Sequence, residues 1–288
     1  MKGFITIATG DDRYFQMAVN MLNSYRSATS APLPFAILTD KENEYTKLFD
    51  DVIILENPTR TYYDKIYLLK NTPYDETIFI DADSLAYGDL NKLFDYFTNG
   101  APVSCFGKTL PIESDEGWFN AESIGKYRDK VHFGAYIKSG VLYLRRGDEK
   151  SDIRQYLFEL CQDISEHYYE YCKTSAFSKI ADEPILALAF AVANCKPTEG
   201  MEYYSKFLPT TNRLQLNILN GKISYDTLFP KAHKECLLCH FGNANTDKPL
   251  YITEAAALNA YLSGNRLSAK SKLFIRNLKI FISSFHEA

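Results

Sequence analysis

Thr77-Ile-Phe-Ile-Asp81-Ala-Asp83-Ser84 (TIFIDADS) runs four residues of strand-like sequence directly into two carboxylates. A short run without polar alternation reads as a strand covered on both faces. In an extended segment residues two apart point to one side, so Asp81 and Asp83 face a common point just past the strand's carboxyl end. Ligands of open α/β sheets bind there. Two carboxylates suit a hard cation such as Mg²⁺ or Mn²⁺, which can bridge diphosphate oxygens and neutralise charge on a departing phosphate. The competing reading is a solvated turn that caps the next helix, since D-x-D alone arises by chance roughly once in 300 residues. The strand in front of it favours the metal.

Outward from that strand the chain alternates. Gly3 to Thr9 (GFITIAT) reads as a strand ending at a Gly-Asp-Asp turn, and Tyr14, Ala18, Met21 and Tyr25 then recur at helical spacing. Phe35 to Thr39 and Val52 to Leu55 are further short apolar strands, separated by a short helix over Asn43 to Phe49, and Tyr62 to Leu69 reads as a helix. Downstream come strands near Val103 to Phe106 and at Gly140 to Leu144, helices at Ile153 to Tyr171 and Ile185 to Val192, a strand at Leu237 to Phe241, and an Ala-rich helix at Thr253 to Leu262 with Thr253 as its cap. Continuous apolar strands interleaved with helices predict an α/β fold with a mostly parallel sheet flanked by helices.

With 288 residues, 46% of them hydrophobic, the chain can bury a sizeable core. A net charge of -4 offers no basic face to neutralise phosphates, which argues against nucleic acid as a partner. No apolar run approaches the ~20 residues a bilayer span requires. Met1 to Thr9 lacks the basic flank and apolar core of a signal peptide, so a cytoplasmic location is expected. Six scattered cysteines are then expected as thiols. Cys236-Leu-Leu-Cys239-His240 has the form C-x-x-C-H, but there is no second C-x-x-C and the segment reads as a buried strand, against haem or zinc.

The run KIYLLKNTPYDETIFIDADSLAYGDL (65–90) resembles the retaining GT-A glycosyltransferases of family 8, the glycogenin and lipopolysaccharide galactosyltransferase type. That resemblance implies the GT-A nucleotide-diphospho-sugar transferase fold and a UDP-sugar donor. It implies that Thr9, Asp11, Arg13 and Tyr14 hold the base and ribose, with the tyrosine on uracil, and that Lys65 faces the diphosphate or sugar. Asp81 and Asp83 would hold the metal, with Asp81 and Ala82 also against the donor. His240-Phe-Gly242-Asn-Ala-Asn-Thr-Asp-Lys248-Pro249-Leu is similar to the family's late His-Gly-Lys element, in which His240 joins the metal and Gly242 and Lys248 meet the diphosphate. Here the Gly is one residue closer to His, the gap to Lys is longer, and Leu250 replaces Trp. A nitrogen ligand tilts preference from Mg²⁺ toward Mn²⁺.

Ile137-Lys-Ser139-Gly140-Val looks like the family's Asn-Ala-Gly-Val strand lining the sugar pocket, with Lys138 and Ser139 in place of the usual residues. Ala181-Asp182-Glu183-Pro184 resembles its acidic segment, which implies Asp182 on sugar hydroxyls and Glu183 near the anomeric carbon. Against each stands a plainer reading: Lys65 as a solvated helix lysine, His240 as a hydrogen-bonded core histidine, and Asp182-Glu183 as an ordinary helix N-terminus. The resemblance is thin from Trp118 to Phe177, where acceptor specificity is expected.

Residues 1–262 read as the glycosyltransferase domain and 263–288 as a basic amphipathic tail. In the tail Arg266, Lys270, Lys272, Arg276 and Lys279 interleave with Leu267, Leu273, Phe274, Ile275, Leu278, Phe281 and Phe285, with Lys272, Arg276 and Lys279 on one helical face. Such a helix either lies on an anionic membrane, which suits a glycolipid, lipopolysaccharide or other surface-glycan acceptor, or docks on its own domain or a second subunit of a homo-oligomer. The expected activity is Mn²⁺- or Mg²⁺-dependent hexosyl transfer from a UDP-sugar. The rivals are a HAD-like phosphatase with Asp81 as nucleophile, a nucleotidyltransferase, for which Ala8 to Arg13 is a poor phosphate loop, and an inactive nucleotide-sugar-binding protein.

Overall fold

The computed structural model describes residues 1–97, 101–147, 152–173, 180–199, 204–206, 211–227 and 232–286. Its strands are β1 (Lys2–Ala8), β2 (Phe35–Thr39), β3 (Asp51–Ile54), β4 (Glu76–Ile80), β5 (Ser84–Ala86), β6 (Val103–Leu110), β7 (Gly134–Arg145), β8 (Tyr204–Lys206), β9 (Thr211–Asn217), β10 (Lys222–Thr227), β11 (Ala232–Glu235) and β12 (Leu238–His240). Its α-helices are α1 (Asp12–Ala28), α2 (Leu93–Tyr96), α3 (Ile153–Glu166), α4 (Tyr168–Tyr171), α5 (Asp182–Val192), α6 (Pro249–Leu262) and α7 (Arg266–His286). The backbone divides into two compact units, one of Met1–Phe15, Leu33–Asp81 and Lys92–Met201, the other of Gln16–Pro32, Ala82–Asn91 and Glu202–Ala288.

The first unit is built on a six-stranded sheet in the order β3-β2-β1-β4-β7-β6. The strands β3, β2, β1 and β4 are parallel, β7 runs antiparallel to β4, and β6, antiparallel to β7, returns to the direction of the other four. The apolar runs have the predicted cause: β2 is buried at every position and β4 at all but its first. Helix α5 packs on β7, and α3 packs on α5 and on a 3-10 helix at Tyr62–Leu69. Every residue of α5 except Glu183 is buried, the pattern of a helix apolar on all sides and enclosed by its own unit.

One irregularity in this sheet shapes the site. Cys105 of β6 pairs with Leu142, yet its neighbour Phe106 pairs with Lys138, so three residues of β7, Ser139 to Val141, stand opposite a single step of β6. On the other side β7 stays in register with β4, where Val141 pairs with Ile80 and the Gly140 carbonyl accepts from the Asp81 amide at 3.0 Å. A bulge of this kind bends the strand and re-aims its side chains.

The second unit holds two three-stranded sheets, β5-β12-β8 and β11-β10-β9. Helix α7 packs on α6, burying Ala269, Leu273 and Arg276 and leaving Leu267, Phe274, Ile275 and Leu278 exposed. The predicted single face of Lys272, Arg276 and Lys279 is therefore divided, with Arg276 turned inward to Glu254 of α6 and the two lysines in solvent. No helix among the described residues is long and apolar enough to cross a membrane.

Other boundaries moved as well. Helix α6 starts at Pro249 rather than Thr253, because proline's fixed φ and missing N–H suit the first helical position. The helix expected over Asn43 to Phe49 is reduced to a 3-10 turn at Thr46–Leu48, Tyr62 to Leu69 is 3-10 rather than α, and Ile153 to Tyr171 breaks at His167. Strand β7 extends well upstream of Gly140. Phe177, at the end of the thinly matched stretch, lies outside the described residues. All six cysteines are free and buried.

Candidate active site

Lys65 stands at the centre of the first unit's site, only 7% of its side chain exposed. Its ammonium lies 3.1 Å from Asp81 Oδ1, 2.9 Å from Asp182 Oδ2 and 3.1 Å from the Ser139 hydroxyl, with the Phe79 ring 5.3 Å away. Each partner is delivered by a different element: Asp81 by the end of β4, Ser139 by the β7 bulge and Asp182 by the first turn of α5. Burial alone disfavours the ammonium, but Asp182 and Asp81 outweigh it and hold the proton more tightly than on a free lysine. The solvated-lysine reading fails for Lys65.

Glu183, next along α5, turns to other partners. Its Oε1 accepts the Ser139 backbone N–H at 3.3 Å, and its Oε2 lies 3.6 Å from the Lys138 ammonium. Two adjacent acids thus meet two different lysines. Both stand in the first turn of a helix, where the dipole favours negative charge.

The 3-10 helix that carries Lys65 also ties the site to the end of β1. Asp64 is buried and accepts from the Thr59 amide (2.7 Å), the Thr59 hydroxyl (2.6 Å), the Arg60 amide (2.8 Å) and the Thr9 hydroxyl (3.4 Å). The Gly10 amide donates to both oxygens of Asp40, which also pairs with Arg60 at 3.2 Å. Gly10 has φ +81°, and a Cβ there would lie 3.3 Å from Arg60 Cδ. Asp11 accepts the Arg13 amide at 2.8 Å and so starts α1, leaving Tyr14 exposed in the first turn at the carboxyl edge of the sheet. Asp40, Asp64 and Arg60 escaped the sequence reading: Asp40 follows an apolar strand, Arg60 lies in a loop with no periodic signal, and Asp64 falls within the helix predicted at Tyr62 to Leu69, where nothing in the spacing set it apart.

In the second unit Asp83 precedes β5 and His240 ends β12, and these strands pair antiparallel with Ser84 opposite His240. The Phe241 amide donates to the Asp83 carbonyl at 3.1 Å, and His240 Nε2 lies 2.9 Å from Asp83 Oδ1, the two side chains 12% and 14% exposed. Asp81 is two residues of chain away from Asp83, with the buried Ala82 between them. One ligand atom each from Asp81, Asp83 and His240 lie within 4.8 Å of one another. Two carboxylate oxygens and an imidazole nitrogen, with no thiolate, form a donor set that can bind a divalent metal of the Mg²⁺ or Mn²⁺ kind. Gly242 follows at φ +74°, and Lys248, exposed, stands just before α6.

The strand order and its likeness to solved structures settle the architecture. The galactosyltransferase LgtC, solved in complex with donor and acceptor sugar analogs, superposes with a TM-score of 0.53 at 17% identity, over 89% of this chain and 95% of that one. The fold is GT-A. At this identity the likeness is one of fold. The glycosyltransferase GlyE of Streptococcus pneumoniae TIGR4 (TM-score 0.45, 15% identity, 71% of this chain) and mouse xyloside xylosyltransferase 1 (0.45, 12%, 73% of this chain and 89% of that one) are also similar. The chain covers 47% of GlyE and so spans less than half its length. No protein-family model and no curated protein matches the chain.

Proposed function

We propose that the chain is a metal-dependent, retaining hexosyltransferase of the family 8 type that takes a UDP-sugar and passes the sugar to a glycan or glycolipid acceptor. The observation that carries this reading is the row Asp81, Lys65, Asp182, Glu183 at the end of β4, continued along the chain by Asp83 with His240. The GT-A fold and the Asp-Asp-His donor set support a sugar donor with a divalent ion.

On this reading Thr9, Asp11, Arg13 and Tyr14 seat the nucleotide, Tyr14 offering an exposed ring for the base. Asp81, Asp83 and His240 hold the metal, which when bound supplies positive charge to the diphosphate oxygens. Lys65 and Lys248 add fixed positive charge toward the same diphosphate. The bond from the anomeric carbon to the diphosphate breaks, its electron pair leaving with UDP. An acceptor oxygen bonds to that carbon on the same face and gives up its proton to an oxygen of the departing diphosphate. Asp182 and the bulge residues Ser139 and Gly140 line the sugar. Glu183 either forms a transient bond to the anomeric carbon or stabilises its positive charge. The exposed Leu267, Phe274, Ile275 and Leu278, with Lys270, Lys272 and Lys279, favour peripheral contact with an anionic membrane that carries the acceptor.

Thermal unfolding with UDP, GDP and CDP, each with and without Mn²⁺, tests the proposal. A ligand that binds only the folded state at about 100 times its Kd adds about 2.7 kcal/mol. A rise of several degrees for UDP that requires Mn²⁺ is expected. No nucleotide response, together with hydrolysis of p-nitrophenyl phosphate, would put Asp81 back in the role of a phosphatase nucleophile.

A further inference from the structure

We propose that Lys138 is a positioning residue for Glu183, held in place by the stacked pair Trp118 and Tyr136; this rests on the role given to Glu183 above. Tyr136 and Lys138 are two apart on β7 and share a face of the strand. Trp118 stacks on Tyr136 at 5.5 Å and 8° between planes, and its indole N–H donates to the Ile137 carbonyl at 3.1 Å, which anchors the pair to the same strand. The Lys138 ammonium lies 4.5 Å from the Tyr136 ring centre and 5.3 Å from that of Trp118. Both rings attract a cation through their negative faces, so a side chain that is ordinarily mobile is confined.

What the confined ammonium meets is Glu183 Oε2, 3.6 Å away, while Glu183 Oε1 takes the Ser139 amide. The lysine and glutamate side chains are 14% and 16% exposed, a setting that screens the pair less than open water does. Neither neighbouring lysine can take over. Lys65 is committed to Asp81 and Asp182, and Lys108, 5.9 Å from the Tyr136 ring, pairs with Glu116. The carboxylate of Glu183 is thus held from two sides, by a fixed amide and by a cation whose position the aromatic pair sets.

The test compares Lys138→Gln, Lys138→Arg and Glu183→Gln in the full chain with Mn²⁺, reading UDP release from UDP-glucose and UDP-galactose without acceptor. Lys138→Gln should lower kcat at least 10-fold, with KM for the donor within 2-fold and the UDP-induced thermal shift retained. Lys138→Arg should stay within about 3-fold of the unaltered protein. Trp118 is the sole tryptophan, so its emission reports this pairing directly: it should change in Lys138→Gln and in Glu183→Gln, and stay unchanged in the control Glu116→Gln. A Lys138→Gln protein with kcat within 2-fold overturns the proposal, as does Glu183→Gln with unaltered emission, or an equal loss in both lysine variants with a lowered melting temperature. If the unaltered protein neither responds to UDP nor releases it, the donor reading fails instead, and the emission comparison decides the Lys138–Glu183 pairing by itself.

Discussion

Each unit buries a cation against a carboxylate distant in sequence or on another helix, Lys65 in the first and Arg276 in the second, and the two are treated differently; Arg154, also buried in the first unit, pairs locally with Asp152. In the first, Lys65 meets two carboxylates, Asp81 and Asp182, and a hydroxyl. In the second, Arg276 of α7 meets a single carboxylate, Glu254, which is wholly buried and also accepts the Ile218 amide (2.7 Å) and the Tyr87 hydroxyl (3.2 Å). The second arginine nitrogen donates to the Leu216 carbonyl at 2.7 Å. The arginine cluster is closed, charge against charge, with neutral donors and acceptors filling the remaining positions. The lysine cluster carries one carboxylate in excess, and that excess lies at the carboxyl end of a strand. A buried site with surplus negative charge is completed by an incoming positive charge; a neutral one is complete already.

The comparison can be broken from either side. Arg276→Met leaves Glu254 buried without its counter-charge and should cost about 3–5 kcal/mol in urea unfolding. The double variant Arg276→Met with Glu254→Leu should recover most of that loss, and a double variant as unstable as the single one would mean that the cluster does more than neutralise itself. In the lysine cluster, Asp81→Asn should lower UDP release about 10²- to 10³-fold, the scale of losing one electrostatic contact to the transition state, with little change in melting temperature. An Asp81→Asn protein that still turns over would remove the functional half of the contrast.

Smaller effects sharpen it. Serine at Phe274 and Ile275 touches only the exposed face of α7 and should change stability by no more than about 0.5 kcal/mol, while weakening sedimentation with anionic liposomes. Unaltered liposome binding would leave the face without a membrane role. Least disruptive is a thiol assay. Burial pushes Cys172 up to about 12 and Cys195 up to about 11, and all six cysteines are enclosed, so a thiol reagent should label none in the folded protein and six after unfolding.

The readable parts of the chain were those where one local signal suffices. Strands β1, β2, β3 and β4 are short apolar runs between turn residues, and their length and composition separate them from helices. Strands β9 to β11 are polar and lack such a run, and β5 hides directly behind the D-x-D. Within the site, Asp81, Asp83 and His240 followed from spacing and resemblance, and the structure brings their ligand atoms together. The bond from Lys65 to Asp182 spans more than a hundred residues, and no periodicity announces it. Arg276 shows the same limit: helical spacing grouped it with Lys272 and Lys279, but the buried Glu254 on α6 decided which way it turned.

The bulge in β7 has a geometric consequence. Ser139 gives its amide to the Glu183 carboxylate on α5, and the Gly140 carbonyl accepts the backbone amide of Asp81 after β4, so two adjacent residues tie both acids to the sheet. Each acid is thus tied by one hydrogen bond to a common datum, and not by a long path through loops in which small errors accumulate. Since misplacement of a reacting group by about 1 Å can cost 10²-fold in rate, lengthening or shortening Ser139 to Val141 by one residue should upset both carboxylates at once. The ladders on either side of it would still close.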